Sequence, residues 1–242
     1  MTGSSLDVKS VFERELESIT KLHRSGKSGV RVSIDLARRL DRLITSIYGS
    51  VAAPQKRTLA VVALGGYGRN ELCFASDTDV MFLVSTGKEK AEAVEVTKDL
   101  IHRLFDNGLS VGHSFRSVSE CLEFQNSDIE IWTSLLESRF ICGNRRTMIS
   151  LRAKMQKAIG GARKATFVKS LLNLSNARHG KFGASTKLLE PNVKLSSGGL
   201  RDLHTVLWLV RGTGTIRLPQ KSTQPAVVQL LNSRTIRRLL PA

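Results

Sequence analysis

Between Val61 and Val84 the chain reads VVALGGYGRNELCFASDTDVMFLV, and no other stretch restricts the fold so tightly. The apolar run 59–64 has the length of a short buried strand, and the Gly65–Gly66 pair after it marks a turn where backbone can approach a ligand. Ten residues further on, Asp77 and Asp79 open a second apolar run, 78–84, which reads as another strand. Side chains alternate faces along a strand, so Asp77, Asp79, Met81 and Leu83 share one face and Thr78, Val80, Phe82 and Val84 the other. Two unpaired carboxylates about 7 Å apart on one face repel at neutral pH, and a divalent cation with hard oxygen ligands relieves the repulsion. Mg²⁺ is the natural ion. Held this way it also binds a triphosphate, whose oxygens the backbone N–H groups of Gly65 and Gly66 would meet.

A Gly-Gly pair alone is usually a turn, and Asp-x-Asp alone is usually a solvated loop; the combination, at this spacing and between apolar strands, is what carries the reading. Two other glycine patterns fail. Gly66-x-Gly68-x-x-Glu71 lacks the third glycine of a dinucleotide fingerprint, and Ser25-Gly26-Lys27-Ser28 has Lys21 where a P-loop needs glycine.

The same residues carry a family resemblance. Gly65-Gly66, ten residues, then Asp77-Thr78-Asp79 resembles the signature of the DNA polymerase β-like nucleotidyltransferases, and GGYGRNEL…SDTDVMFL resembles one branch, the bacterial PII uridylyltransferase/uridylyl-removing enzymes. A second stretch, EPNVKLSSGGLRDLHTVLW over residues 190–208, resembles that branch independently. The family usually has Gly where this chain has Asn70, a residue that tolerates a left-handed conformation. It often carries a third carboxylate on the next strand, where this chain has Ser110 between Leu109 and Val111. Leu195, Ser196 and Ser197 replace the family's usual residues ahead of Gly198. The resemblance implies UTP as donor, Mg²⁺ as cofactor and a tyrosine of the PII nitrogen-signalling protein as acceptor, with Asp77 and Asp79 as catalytic metal ligands. The family's phosphohydrolase and regulatory regions have no counterpart in this sequence, so no uridylyl-removing activity is expected.

Around these motifs the periodicity is mostly helical. Residues 6–24 and 31–48 are amphipathic, 88–106 read as one helix ending at Asn107-Gly108, and 109–117 read as a third strand. From Val118 onward the pattern predicts helices over 118–125, 128–141, 146–159 and 163–178, and another at 200–211 opened by Gly198-Gly199. Glycines before a helix start make an anion site, and Arg201 in the first turn either adds a fixed positive charge to it or forms a buried structural ion pair; Asp202 pairs with a base or favours the helix start. Arg69 reads either as a phosphate ligand or as part of the turn, Tyr67 as stacking or packing, and Ser76 as a phosphate donor or a turn cap. Asp128, Glu130 and Glu137 read either as acids that approach the metals from the following helix or, more commonly, as helix-surface charges, and His113 either as catalytic or, more commonly, as structural.

The expected architecture is therefore α+β: N-terminal helices over 1–57, a small mixed-sheet nucleotidyltransferase core of the polymerase β-like kind over 58–142, and a helical domain over 143–242. Candidate nucleotide-binding residues are Gly65, Gly66, Arg69, Ser76, Gly198, Gly199 and Arg201. Lys and Arg number 37 against 21 Asp and Glu, a net charge of +16 that favours polyanionic partners and leaves nucleic acid open beside UTP and PII. The excess lies partly in 145–169 and 221–238, with few aromatic residues to stack bases. Cys73, Cys121 and Cys142 are odd in number and widely spaced, which suggests reduced, structural thiols. The apolar runs fall short of the ~18 residues that span a bilayer, and the N-terminus lacks the apolar core of a secretory signal; a cytoplasmic protein without membrane attachment is expected. Two rival readings remain: a nucleotidyltransferase with another acceptor (an RNA end, a small molecule or a different protein), and a non-catalytic nucleotide-binding remnant.

Overall fold

The computed structural model describes residues 5–74, 76–109, 111–123, 128–160, 163–182 and 192–214. Two compact units are formed, Met1–Glu123 with Glu137–Ala153, and Phe124–Leu136 with Lys154–Ala242.

The first unit is built on a four-stranded mixed sheet of order β3-β2-β1-β4, with β1 Ala60–Ala63, β2 Thr78–Val84, β3 Val111–Ser117 and β4 Arg139–Gly143. β1 runs antiparallel to both neighbours, and β2 is parallel to β3. A parallel pair needs a crossover, and α4 (Gly87–Glu92) with α5 (Val94–Asp106) supplies it. Every residue of β1 is buried, as is every residue of β2 except Asp79. Such strands cannot show clean alternation, and the continuous apolar runs in the sequence reflect that. The long helices α1 (Ser5–Arg24) and α2 (Gly29–Ser50) pack on each other, and α2 lays Leu36, Leu40, Leu43, Ile44 and Ile47 toward the sheet's core.

Two expected elements are corrected. The single helix at 88–106 is two helices, divided at the buried Ala93. The helix expected over 128–141 ends early, as α7 Ile129–Leu136, and Arg139–Gly143 forms β4. The free edge of β1 decides this: its backbone groups need a partner, and pairing Val61 with Cys142 and Val62 with Phe140 overrides a helical pattern that local sequence supports equally well. Ser110, the position of the third carboxylate in the family pattern, lies outside the described residues.

A polar network ties the sheet to the N-terminal helices. Arg139 on β4 makes two hydrogen bonds to Asp41 of α2, at 2.7 and 3.0 Å. The Tyr67 hydroxyl donates to the same carboxylate at 2.6 Å, and the Arg139 guanidinium lies 5.2 Å from the Tyr67 ring centre. Tyr67 is fully buried, and its phenol pKa is raised well above its usual value, chiefly by burial and then by the Asp41 charge. It packs rather than stacks on a ligand.

In the second unit, α7, α9 (Arg163–Phe182) and α10 (Leu200–Thr213) pack together. α8 (Arg145–Ile159) connects residues of both units. The three cysteines are free thiols. Among the described residues no helix is long and apolar enough to cross a membrane. The basic segment 221–238 lies outside the described residues.

Candidate functional site

The end of β1 and the start of β2 meet where the backbone N–H of Leu64 donates to the carbonyl of Asp79 at 3.0 Å. The glycines then wind into one helical turn, α3 Gly65–Gly68, closed by Gly68 N–H to Leu64 C=O, Arg69 N–H to Gly65 C=O and Glu71 N–H to Gly66 C=O. These bonds leave the N–H groups of Gly65 and Gly66 without a backbone acceptor among the described residues, as at any helix start. Gly65 has φ +54°, and a Cβ placed there would lie 3.3 Å from Asp79 Oδ2, so turn and carboxylate are in direct contact. Asn70 takes φ 61°, the left-handed conformation expected of it.

Asp77 sits just before β2 and Asp79 is the second residue of the strand; both are exposed toward solvent at this end of the sheet. Burial of the Asp79 carboxyl raises its pKa, and the Asp77 charge beside it raises it further; nothing among the described residues lowers it. Two neighbouring carboxylates without a compensating cation, at the end of a buried strand and beside a glycine turn, suit a hard divalent ion, which takes one or two carboxylates and completes its shell with water or phosphate oxygens. Among the described residues no group of three His, Cys, Asp or Glu side chains comes together to hold an ion.

This electrostatic strain has a measurable consequence. Because the folded-state pKa of Asp79 is raised, the carboxyl favours folding while protonated, below its unfolded pKa, and that contribution is lost as pH rises through the folded pKa. At neutral pH the ion-free protein therefore carries a cost that Asp79→Asn removes. Thermal unfolding should show Asp79→Asn more stable than wild type at pH 7 without divalent ions and the gain shrinking as pH falls through the carboxylate range. A variant less stable than wild type at pH 7 contradicts this.

The other first-motif residues serve the turn. The Ser76 hydroxyl accepts from Cys73 N–H at 2.6 Å and donates to Cys73 C=O at 2.8 Å, capping the loop ahead of Asp77. Arg69 donates to Glu71 and to Glu137, each at 2.6 Å. Its side chain is only 8% exposed and that of Glu137 3%. The guanidinium expected to reach a phosphate thus shapes the turn, and Glu137, read as a helix-surface charge, is a buried ion-pair partner where the chain enters β4.

The second motif is likewise closed on itself. The N–H of Gly198 donates to Asp202 Oδ2 at 2.7 Å, that of Gly199 to Ser196 C=O, that of Leu200 to Val193 C=O and that of Arg201 to Lys194 C=O. The donors expected to form an anion site at the start of α10 are bonded to their own loop in this structure. Asp202 also takes Arg178 and, at 2.8 Å, His179. Burial works to raise the Asp202 pKa, but these hydrogen bonds outweigh it and hold the pKa below its usual value. Arg201 lies over the Trp208 ring, 5.3 Å from its centre. Glu190 lies outside the described residues.

Sequence reasoning missed Gly112. Its place on β3, directly opposite Asp79, was visible only as small residues at every second position, Ser110, Gly112 and Ser114.

Residues 166–240 match the family model described as GlnD PII-uridylyltransferase. The chain is 35% identical over 192 residues to the bifunctional uridylyltransferase/uridylyl-removing enzyme of Rhodopseudomonas palustris, covering 79% of this chain and 21% of that enzyme. It is 34% identical over 204 residues to the enzyme of that description in Caulobacter vibrioides, and 36% over 192 residues to the one in Azospirillum brasilense, covering 81% and 77% of this chain and 22% and 20% of those enzymes. The mixed α+β sheet unit, with its small four-stranded sheet, is compatible with a nucleotidyltransferase core. The chain is thus similar to the bacterial uridylyltransferase/uridylyl-removing enzymes, and it spans about a fifth of the length of the curated relatives it matches.

Proposed function

We propose that this chain carries a Mg²⁺-dependent site that transfers UMP from UTP to a tyrosine hydroxyl of a PII signalling protein. The observation that supports it best is the pairing of Asp77 and Asp79, uncompensated by any cation among the described residues, with the Gly65 turn against Asp79. The proposal rests on this first motif. Asp77 and Asp79 would hold the ion, which when bound supplies charge neutralisation and Lewis-acid polarisation at the triphosphate. Gly65 and Gly66 offer backbone N–H groups to phosphate oxygens, in fixed orientation because the Arg69–Glu137 pair anchors the turn. The acceptor hydroxyl oxygen bonds to the α-phosphorus as the bond from that phosphorus to the β-bridging oxygen breaks. Pyrophosphate leaves with the electron pair, and the hydroxyl proton passes to solvent. The net charge of +16 suits anionic nucleotides.

Incubation with Mg²⁺, PII and each of the four α-labelled nucleoside triphosphates tests the proposal. Label should pass to PII from UTP. Transfer from UTP to a different acceptor would retain the site and replace the partner, and absence of transfer from every nucleotide by the folded protein would overturn the proposal.

A further inference from the structure

Asp79 is the one exposed position of β2, and on the sheet it has a neighbour on each side. Toward β1 the neighbour is the Leu64–Gly65 turn, and toward β3 it is Gly112, in direct register with Asp79. Neither glycine has a side chain to occupy the space beside the carboxylate. A Cβ on Gly112 would stand 2.5 Å from Asp79 Oδ1, closer than real Cβ atoms approach, while one on Gly65 would stand 3.3 Å from Oδ2. The carboxylate is thus seated in a slot between two backbone walls, one oxygen against each. Among the described residues nothing else is crowded at Gly112, the next nearest atoms being Asp79 Cγ at 3.7 Å and Thr78 O at 3.9 Å.

We propose that Gly112 is a positioning residue: by lacking a side chain it sets the orientation in which Asp79 faces the ion it would share with Asp77. This deepens the transferase reading and rests on it. The β3 glycine acts through Asp79 alone and touches neither nucleotide nor acceptor. Any side chain at 112 would turn the carboxylate out of its slot, and a displacement of about 1 Å in such a site can lower the rate by about 10²-fold.

The test is a cycle on the full chain: wild type, Gly112→Ala, Asp79→Ala and the double variant, each assayed for thermal unfolding and for Mn²⁺ binding by paramagnetic resonance. Gly112→Ala should raise the melting temperature less in the wild-type background, where the carboxylate end must swing aside, than in the Asp79→Ala background, where the clashing oxygens are gone and alanine suits a strand better than glycine. It should also weaken Mn²⁺ binding at least ~10-fold, in the spirit of that misplacement cost. An equal change in stability in both backgrounds, or unchanged Mn²⁺ affinity in Gly112→Ala, overturns the proposal. If wild type itself binds no Mn²⁺ even with UTP present, the transferase reading fails while the melting cycle still decides whether Gly112 seats Asp79.

Discussion

Asp77→Asn and Asp79→Asn should each lower the proposed nucleotidyl transfer by on the order of 10³-fold while the protein stays folded, because an amide keeps the shape of the carboxylate and removes the charge that would bind the ion. Neither side chain supports the core: Asp77 precedes the strand, and Asp79 is the exposed member of an otherwise buried one. The two changes are not additive. Residues that act as one unit lose their function together, so the double variant should transfer no more slowly than the worse single variant by more than a few-fold. Initial rates of label transfer at saturating Mg²⁺ and UTP measure this. A single variant that keeps more than about a tenth of the wild-type rate would contradict a role for that carboxylate in holding the ion.

Glu137→Ala has the largest expected effect on stability. The Arg69–Glu137 pair is buried, and removing one partner leaves a guanidinium whose other carboxylate contact among the described residues is Glu71, itself on the turn. Breaking a buried pair in this way costs about 3–5 kcal/mol, which for a chain of this size corresponds to a fall of about 6–20 °C in melting temperature. The backbone of Glu137 also abuts the turn, since a Cβ on Gly68 would lie 2.5 Å from the Glu137 carbonyl oxygen. Both parts of Glu137 therefore hold the glycine turn against the end of the sheet. Circular dichroism melts of Glu137→Ala, Arg69→Ala and the double variant measure the coupling, and the double variant should lose much less than the sum of the singles. A loss of under about 2 °C in Glu137→Ala would show the pair to be dispensable.

What the sequence made legible was local. The strands at 60–63 and 78–84 are short apolar runs bounded by a glycine turn and a polar loop, and the carboxylate pair stands where the second run begins. The left-handed Asn70 follows from residue chemistry alone. What escaped depended on distant partners. β4 is a strand because β1 has an edge to fill, and the short pattern from Arg139 to Gly143 states no preference without that edge. Arg69 could be a phosphate ligand or a structural cation until Glu137, 68 residues away, is seen to take its guanidinium. In the same way, glycines ahead of a helix read as an anion site, while the loop carbonyls of Val193, Lys194 and Ser196 and the carboxylate of Asp202 satisfy those donors from within. Gly112 carries meaning only once the register of β3 against β2 puts it beside Asp79.

The most direct test of the central claim is binding of Mn²⁺ in the presence of UTP, followed by paramagnetic resonance for wild type and for the Asp77→Asn/Asp79→Asn variant. The account predicts an ion bound together with nucleotide by wild type, and affinity at least ~100-fold weaker when both carboxylates become amides. A folded wild-type protein that binds no Mn²⁺ with UTP, or a double variant that binds it as tightly as wild type, would contradict the claim that this carboxylate pair is the metal and triphosphate site.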